Sequence, residues 1–117
     1  MGNRVLMQCI NKKTGEFGPV AYGHWSGGDV RSITERLAAR MVERPDDVEY
    51  SSARLVQEMI TFEDGCLGYG LRNIDHILTA DDSHGDAGVV LIDVSDNHSI
   101  IHFGGYSPSD SYAGVYY

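Results

Sequence analysis

The chain has 117 residues, 42% of them hydrophobic and 22% charged, with a formal net charge of −8. That length suits one domain rather than two, and the apolar share supplies a single core instead of a disordered chain. Residues 1–60 hold eight basic and eight acidic side chains, but residues 61–117 hold nine acids against Arg72 alone, a balance that argues against direct nucleic-acid binding.

Residues 4–11 alternate weakly and predict a strand. A turn cluster over 12–19 leads to a second strand over 20–25, so the pair reads as a hairpin. Ser26-Gly27-Gly28 then breaks the chain, and Asp29 suits a helix N-cap. Val30, Ile33, Leu37 and Met41 recur at spacings of three and four, which predicts one apolar stripe. Arg36, Arg40 and Arg44 form a basic ridge on another face, and Pro45 stops the helix. A second helix is expected over 51–62, with Leu55, Val56, Met59, Ile60 and Phe62 as its apolar positions and Asp64-Gly65 as its end.

The rest returns to β structure. Residues 66–71 read as a short glycine-rich strand, 80–85 as an acidic loop, and 88–94 with 98–103 as a hairpin across Ser95-Asp96-Asn97. Period-two alternation pairs Val94 with His98, Ile92 with Ile100 and Val90 with His102. Val89, Leu91, Ile101 and Phe103 then share the other face, the expected helix-packed side. Trp25 is expected in the core where sheet meets helix. The fold class is α+β: a small antiparallel sheet with two helices on one face, in β-β-α-α-β-β-β order. One domain spans 1–103, and a Gly/Ser/Tyr-rich tail over 104–117 is either flexible or an edge strand.

Cys9 and Cys66 lack CxxC spacing and read as reduced core thiols of a cytoplasmic protein. No apolar run approaches the ~18 residues of a membrane span, and the first residues lack a signal-peptide pattern. There is no GxSxG elbow, and Gly68-Tyr69-Gly70 lacks the remainder of a dinucleotide fingerprint, so no catalytic residue and no cofactor are expected. His98 and His102 stand about 13 Å apart along a strand, too far for one zinc ion. His76 and His84 sit among Asp75, Asp81, Asp82 and Asp86, but not in the order of a calcium loop, so no metal is expected.

His24-Trp25-Ser26-Gly27-Gly28 has two readings. Two glycines before a helix let backbone N–H groups approach an anion, with Trp25 stacking on a flat ligand. The other reading is a tight strand-to-helix turn anchored by Trp25, and it is preferred. The arginine ridge likewise reads as a solvated face beside Glu35 and Glu43, or as a site for a phosphate or an acidic partner.

Several separated pieces occur in a recognisable order: Met1-Gly2-Asn3-Arg4, Tyr22-Gly23-His24-Trp25-Ser26-Gly27-Gly28, Tyr50 with Ala53-Arg54-Leu55, Phe62 with Gly65, and Gly85-Asp86-Ala87-Gly88-Val89. The set resembles a family of small uncharacterised proteins of phages, prophages and other mobile elements. In that family an MGNR-like start precedes an HW-x-GG segment, an ARL helix and a GD-x-GVY-like strand. Val90 stands where the family pattern has its aromatic residue. The resemblance implies a mobile-element accessory protein and brings no active site with it.

Together these features lead to the expectation of a non-enzymatic protein that binds and inhibits a host protein, such as a defence system in the manner of an anti-CRISPR protein. Asp75, Asp81, Asp82 and Asp86 would face a basic protein surface. The alternative is a nucleotide-like small-ligand binder or enzyme that uses His24, Trp25, Gly27 and Gly28.

Overall fold

The first strand, β1 (Val5–Asn11), is buried along its whole length, which requires partners on both edges and cover on both faces. In the computed structural model, which describes residues 3–61 and 68–105, it lies at the centre of a mixed sheet. The other strands are β2 (Glu16–Gly23), β3 (Tyr69–Arg72), β4 (Gly88–Asp93) and β5 (Ser99–Phe103), in the spatial order β3-β2-β1-β4-β5. β1 and β2 form the expected antiparallel hairpin, with Leu6 opposite Tyr22.

One pairing corrects the expectation of an all-antiparallel sheet: β1 and β4 run parallel, with Val5 opposite Gly88 and Cys9 opposite Ile92. A parallel pair needs a long crossover, and here both helices and β3 intervene between the two strands.

The helices α1 (Val30–Arg40) and α2 (Val48–Thr61) cover one face. Val30, Ile33, Leu37 and Met41 are all buried, as their spacing implied, and meet Leu55 and Met59 of α2 over Met7, Cys9, Val90 and Ile92. α1 ends at Arg40, before the Pro45 stop, because Met41 closes the last turn through its N–H to Leu37 and Ala38 carbonyls. α2 starts earlier than expected, at Val48, because the Asp47 carboxylate accepts the Tyr50 backbone N–H at 2.9 Å. The expected helix end at Phe62, Asp64 and Gly65 lies outside the described residues, as do Cys66 and the tail beyond residue 105.

The β4–β5 hairpin has Ile92 opposite Ile100 and Val90 opposite His102, as expected. The third expected pair, Val94 with His98, is replaced by a 3-10 turn over Val94–Asp96, with Asn97 and His98 at φ of 54° and 59°. The face assignment is inverted. Val90, Ile92, Val94 and Ile100 pack under the helices, whereas Val89, Leu91, Ile101 and Phe103 lie on the second face with Leu6, Ile10 and Val20. Every residue of β4 is buried, so its side chains offer no polar face by which alternation could choose a side.

The second face is covered by residues 73–87, which contain no helix longer than the 3-10 turn Ala80–Asp82. Ile74, Ile77 and Leu78 lie against the sheet, and fully buried Gln8 holds the segment down. Its amide donates to the Gly18 and His76 carbonyls at 3.0 and 3.2 Å and accepts the Leu78 N–H at 2.8 Å.

Trp25 is not the core anchor expected; it is 51% exposed. Gly23 explains the difference. A Cβ there would lie 2.5 Å from Ser26 Oγ and 2.9 Å from Met59 Cε, so Ser26 takes the place at the sheet–helix junction. Trp25 is turned outward.

Candidate binding site

β2 ends at Tyr22-Gly23 and the chain runs on through His24-Trp25, with Tyr22 and His24 two residues apart and joined side chain to side chain. The Tyr22 hydroxyl and His24 Nδ1 share a hydrogen bond of 2.7 Å. The His24 ring stands edge-on to Trp25 at a centroid distance of 4.4 Å, and Tyr22 meets His84 edge-on at 5.7 Å. Exposed Trp25 is thereby linked through His24 and Tyr22 to the loop that follows Ala80–Asp82. The backbone adds to this, since the His24 N–H donates to the Gly68 carbonyl at 2.8 Å.

The two sequence segments singled out as alternative sites therefore meet at one end of the sheet. His84 comes from the acidic loop, and Arg4 N–H and Nε both donate to Asp86 Oδ2, at 3.2 and 2.7 Å. Arg4 holds the Asp86 carboxyl below its usual range, chiefly through that side-chain bond.

The four acids expected to face a partner divide into two kinds. Asp86 is 12% exposed and bound to Arg4. Asp82 accepts the Thr79 backbone N–H at 2.8 Å and lies 3.1 Å from His76 Nε2, and the Thr79 bond is the main cause that lowers its carboxyl pKa. Both organise the loop. Asp75 has a side chain 98% exposed beside His76, and Asp81 is exposed on the 3-10 turn. Hydrogen bonds that His76 donates to Asp75 and, to a lesser degree, to Asp82 raise its pKa.

Gly27 and Gly28 have different situations. The Gly27 N–H already donates to the Asn3 carbonyl at 2.9 Å, and a Cβ there would lie 2.2 Å from Asn3 Oδ1 and 2.5 Å from Ala87 Cβ. Its lack of a side chain serves close packing of the chain on itself. Gly28 is exposed and has room for a Cβ, 3.5 Å from Asn3 Nδ2.

The arginine ridge is also engaged internally. Arg36 and Arg40 both donate to the buried Glu58 carboxylate, the first at 2.6 Å. Burial pushes the Glu58 carboxyl up, but the two arginines outweigh it and leave the pKa below its ordinary value. Arg44 pairs with Asp47 at 3.0 Å and lies over the Tyr50 ring.

Among the described residues, no three His, Cys, Asp or Glu side chains are placed to hold one metal ion. Burial pushes the Cys9 thiol up to about 12 against a smaller lowering by Ser52, so it is no nucleophile. Ser51 Oγ and His98 Nε2 share a 3.0 Å hydrogen bond, but the fully buried Ser51 has no access to substrate and braces the turn at His98. No described helix is long and apolar enough to cross a membrane.

The Tyr22–His84 contact has no local signature, since 61 intervening residues separate its partners in sequence. The His24-Trp25-Ser26-Gly27-Gly28 segment and the acidic loop were each legible in the sequence, but not their meeting nor the exposure of Trp25. Comparison with protein-family models, with curated proteins and with solved structures finds no match to this chain.

Proposed function

We propose that the protein is a non-enzymatic binding protein whose docking surface centres on Trp25 and whose partner is a protein with a basic surface. The observation that carries this reading is Trp25, half exposed yet set edge-on against His24, whose ring bonds Tyr22, which in turn meets His84 edge-on. An outward-facing aromatic held by its neighbours loses little entropy on docking, and Trp, Tyr and Arg dominate interface energetics. The exposed carboxylates of Asp75 and Asp81, on the segment that leads to His84, steer encounter with that partner. Asp82 and Asp86 act indirectly, by shaping the loop. The resemblance to mobile-element accessory proteins points to a host protein as target, with a defence complex as one class, and occlusion of its basic surface as the mechanism.

The test uses a partner captured from a host lysate and then purified. Trp25→Ala should keep the melting temperature and speed dissociation at least about tenfold. The double reversal Asp75→Lys with Asp81→Lys should slow association, most at low salt. Undiminished affinity of a well-folded Trp25→Ala protein would falsify this reading.

A further inference from the structure

We infer that a recess beside Arg72, on the sheet face opposite the helices, is a binding site for a small aromatic carboxylate. The recess has a volume of about 300 Å³ and lies between β2, β3 and the loop carrying His84. Buried Leu6 and Val20 form its apolar floor. Tyr22 and His84 wall one side, their rings edge-on at an interplanar angle of 73°.

Gly70 keeps the recess open. A Cβ there would reach only the Tyr22 side chain, at 3.9 Å, so a larger side chain at this position would occupy the space itself. Arg72 lies opposite Val20 in the β2–β3 register, is exposed, and lines the recess. It is the only Lys or Arg of the 61–117 half, and its side chain makes no hydrogen bond or ion pair with another described residue.

These features select the ligand chemistry. The volume is near the lower end for ligand pockets and fits a single ring with a short substituent. One guanidinium in an apolar surround matches one anionic group, and its planar fork takes a carboxylate through two parallel hydrogen bonds. The same volume is too small for a nucleoside di- or triphosphate. A larger apolar groove of about 590 Å³ on the helix side is lined by Glu16 and Glu49, so an aromatic acid is repelled there. This site does not depend on the Trp25 docking surface, and either can fail alone.

The experiment titrates the isotope-labelled protein with phenylacetate, with neutral phenylacetamide and with phenethylammonium, following amide resonances. Phenylacetate should saturate with a Kd of about 0.1–1 mM, as expected for some ten heavy atoms, and shift Tyr22, Gly70, Arg72 and His84. Phenylacetamide should bind about tenfold more weakly, the loss expected when a charge-assisted hydrogen bond is removed. Arg72→Gln should abolish the preference for the acid while amide binding stays, and Gly70→Leu should block both ligands. Both positions are exposed, so each variant should keep its melting temperature. Equal binding of acid and amide, an unchanged preference in Arg72→Gln, shifts confined to the Glu16/Glu49 groove, or no saturation would each overturn the assignment.

Discussion

The side-chain carbonyl of Gln8 accepts the backbone N–H of Leu78 at 2.8 Å, joining the central strand to a segment 70 residues away. The same buried amide donates to Gly18 and His76, so one side chain satisfies three buried or half-buried backbone groups. Gln8→Leu preserves much of the volume and leaves those groups unpartnered. It should destabilise the fold by about 2–4 kcal/mol and speed hydrogen exchange at Leu78. Urea denaturation with exchange measurements checks this, and a loss under about 0.5 kcal/mol would show that the clamp is dispensable.

Gly27 and Gly28 should respond oppositely to the same change. Gly27→Ala forces a Cβ against Asn3 and Ala87 and should cost about 2–4 kcal/mol. Gly28→Ala meets only ordinary van der Waals contact and should stay within about 0.5 kcal/mol of wild type. Thermal melts of the two variants decide it. Equal costs would mean that a shared conformational demand, rather than packing at Gly27, governs the turn.

Glu58→Gln removes the charge that holds Arg36 and Arg40 together and should destabilise by about 1–2 kcal/mol at pH 7, the half-exposed guanidinium groups limiting the loss. The Glu58 pKa is lowered in the fold, so its contribution is present above the unfolded value near 4.5 and is lost as pH falls through the folded one. Asp75, Asp82, Asp86 and Asp93 are lowered as well, so acid lability has several sources. The part due to Glu58 is the difference between wild type and Glu58→Gln below pH ~4.5. Parallel pH–stability curves would remove Glu58 from the account.

The histidines should titrate on different sides of the ordinary value of 6.5. His76, bonded to Asp75 and Asp82, should titrate above it. His98 and His102 should titrate below it, because burial disfavours their charged forms. The unfolded chain then binds protons that the folded His98 and His102 refuse, so these two subtract stability as pH falls below 6.5. Imidazole resonances followed from pH 4 to 9 test the order, which fails if His98 or His102 titrates together with His76.

Much of the helical layer was legible in the sequence. The Val30, Ile33, Leu37 and Met41 stripe is a local periodic signal, and packing did not override it. The β layer was less so. Residues 88–92 are apolar on both sides, and only the long-range parallel pairing with β1 decides which side meets the helices. Trp25 misled because its place between a strand and a glycine turn argued for burial, whereas the space at the junction is set by Gly23 and filled by Ser26. For the candidate site, the His24-Trp25 segment was visible, but the partners Tyr22 and His84 meet only through the fold.

The central position of β1 also sets an order of events during synthesis. Its β2 hairpin partner follows at once in the chain, but its other edge waits for β4, and the Arg4–Asp86 pair at that junction spans 82 residues. Until β4 emerges, Met7 and Cys9 belong to a strand with one bare edge and incomplete cover, the kind of edge that recruits strands from other chains. Such distant pairing is slow to form, so the nascent chain is most vulnerable to aggregation just before β4 is made.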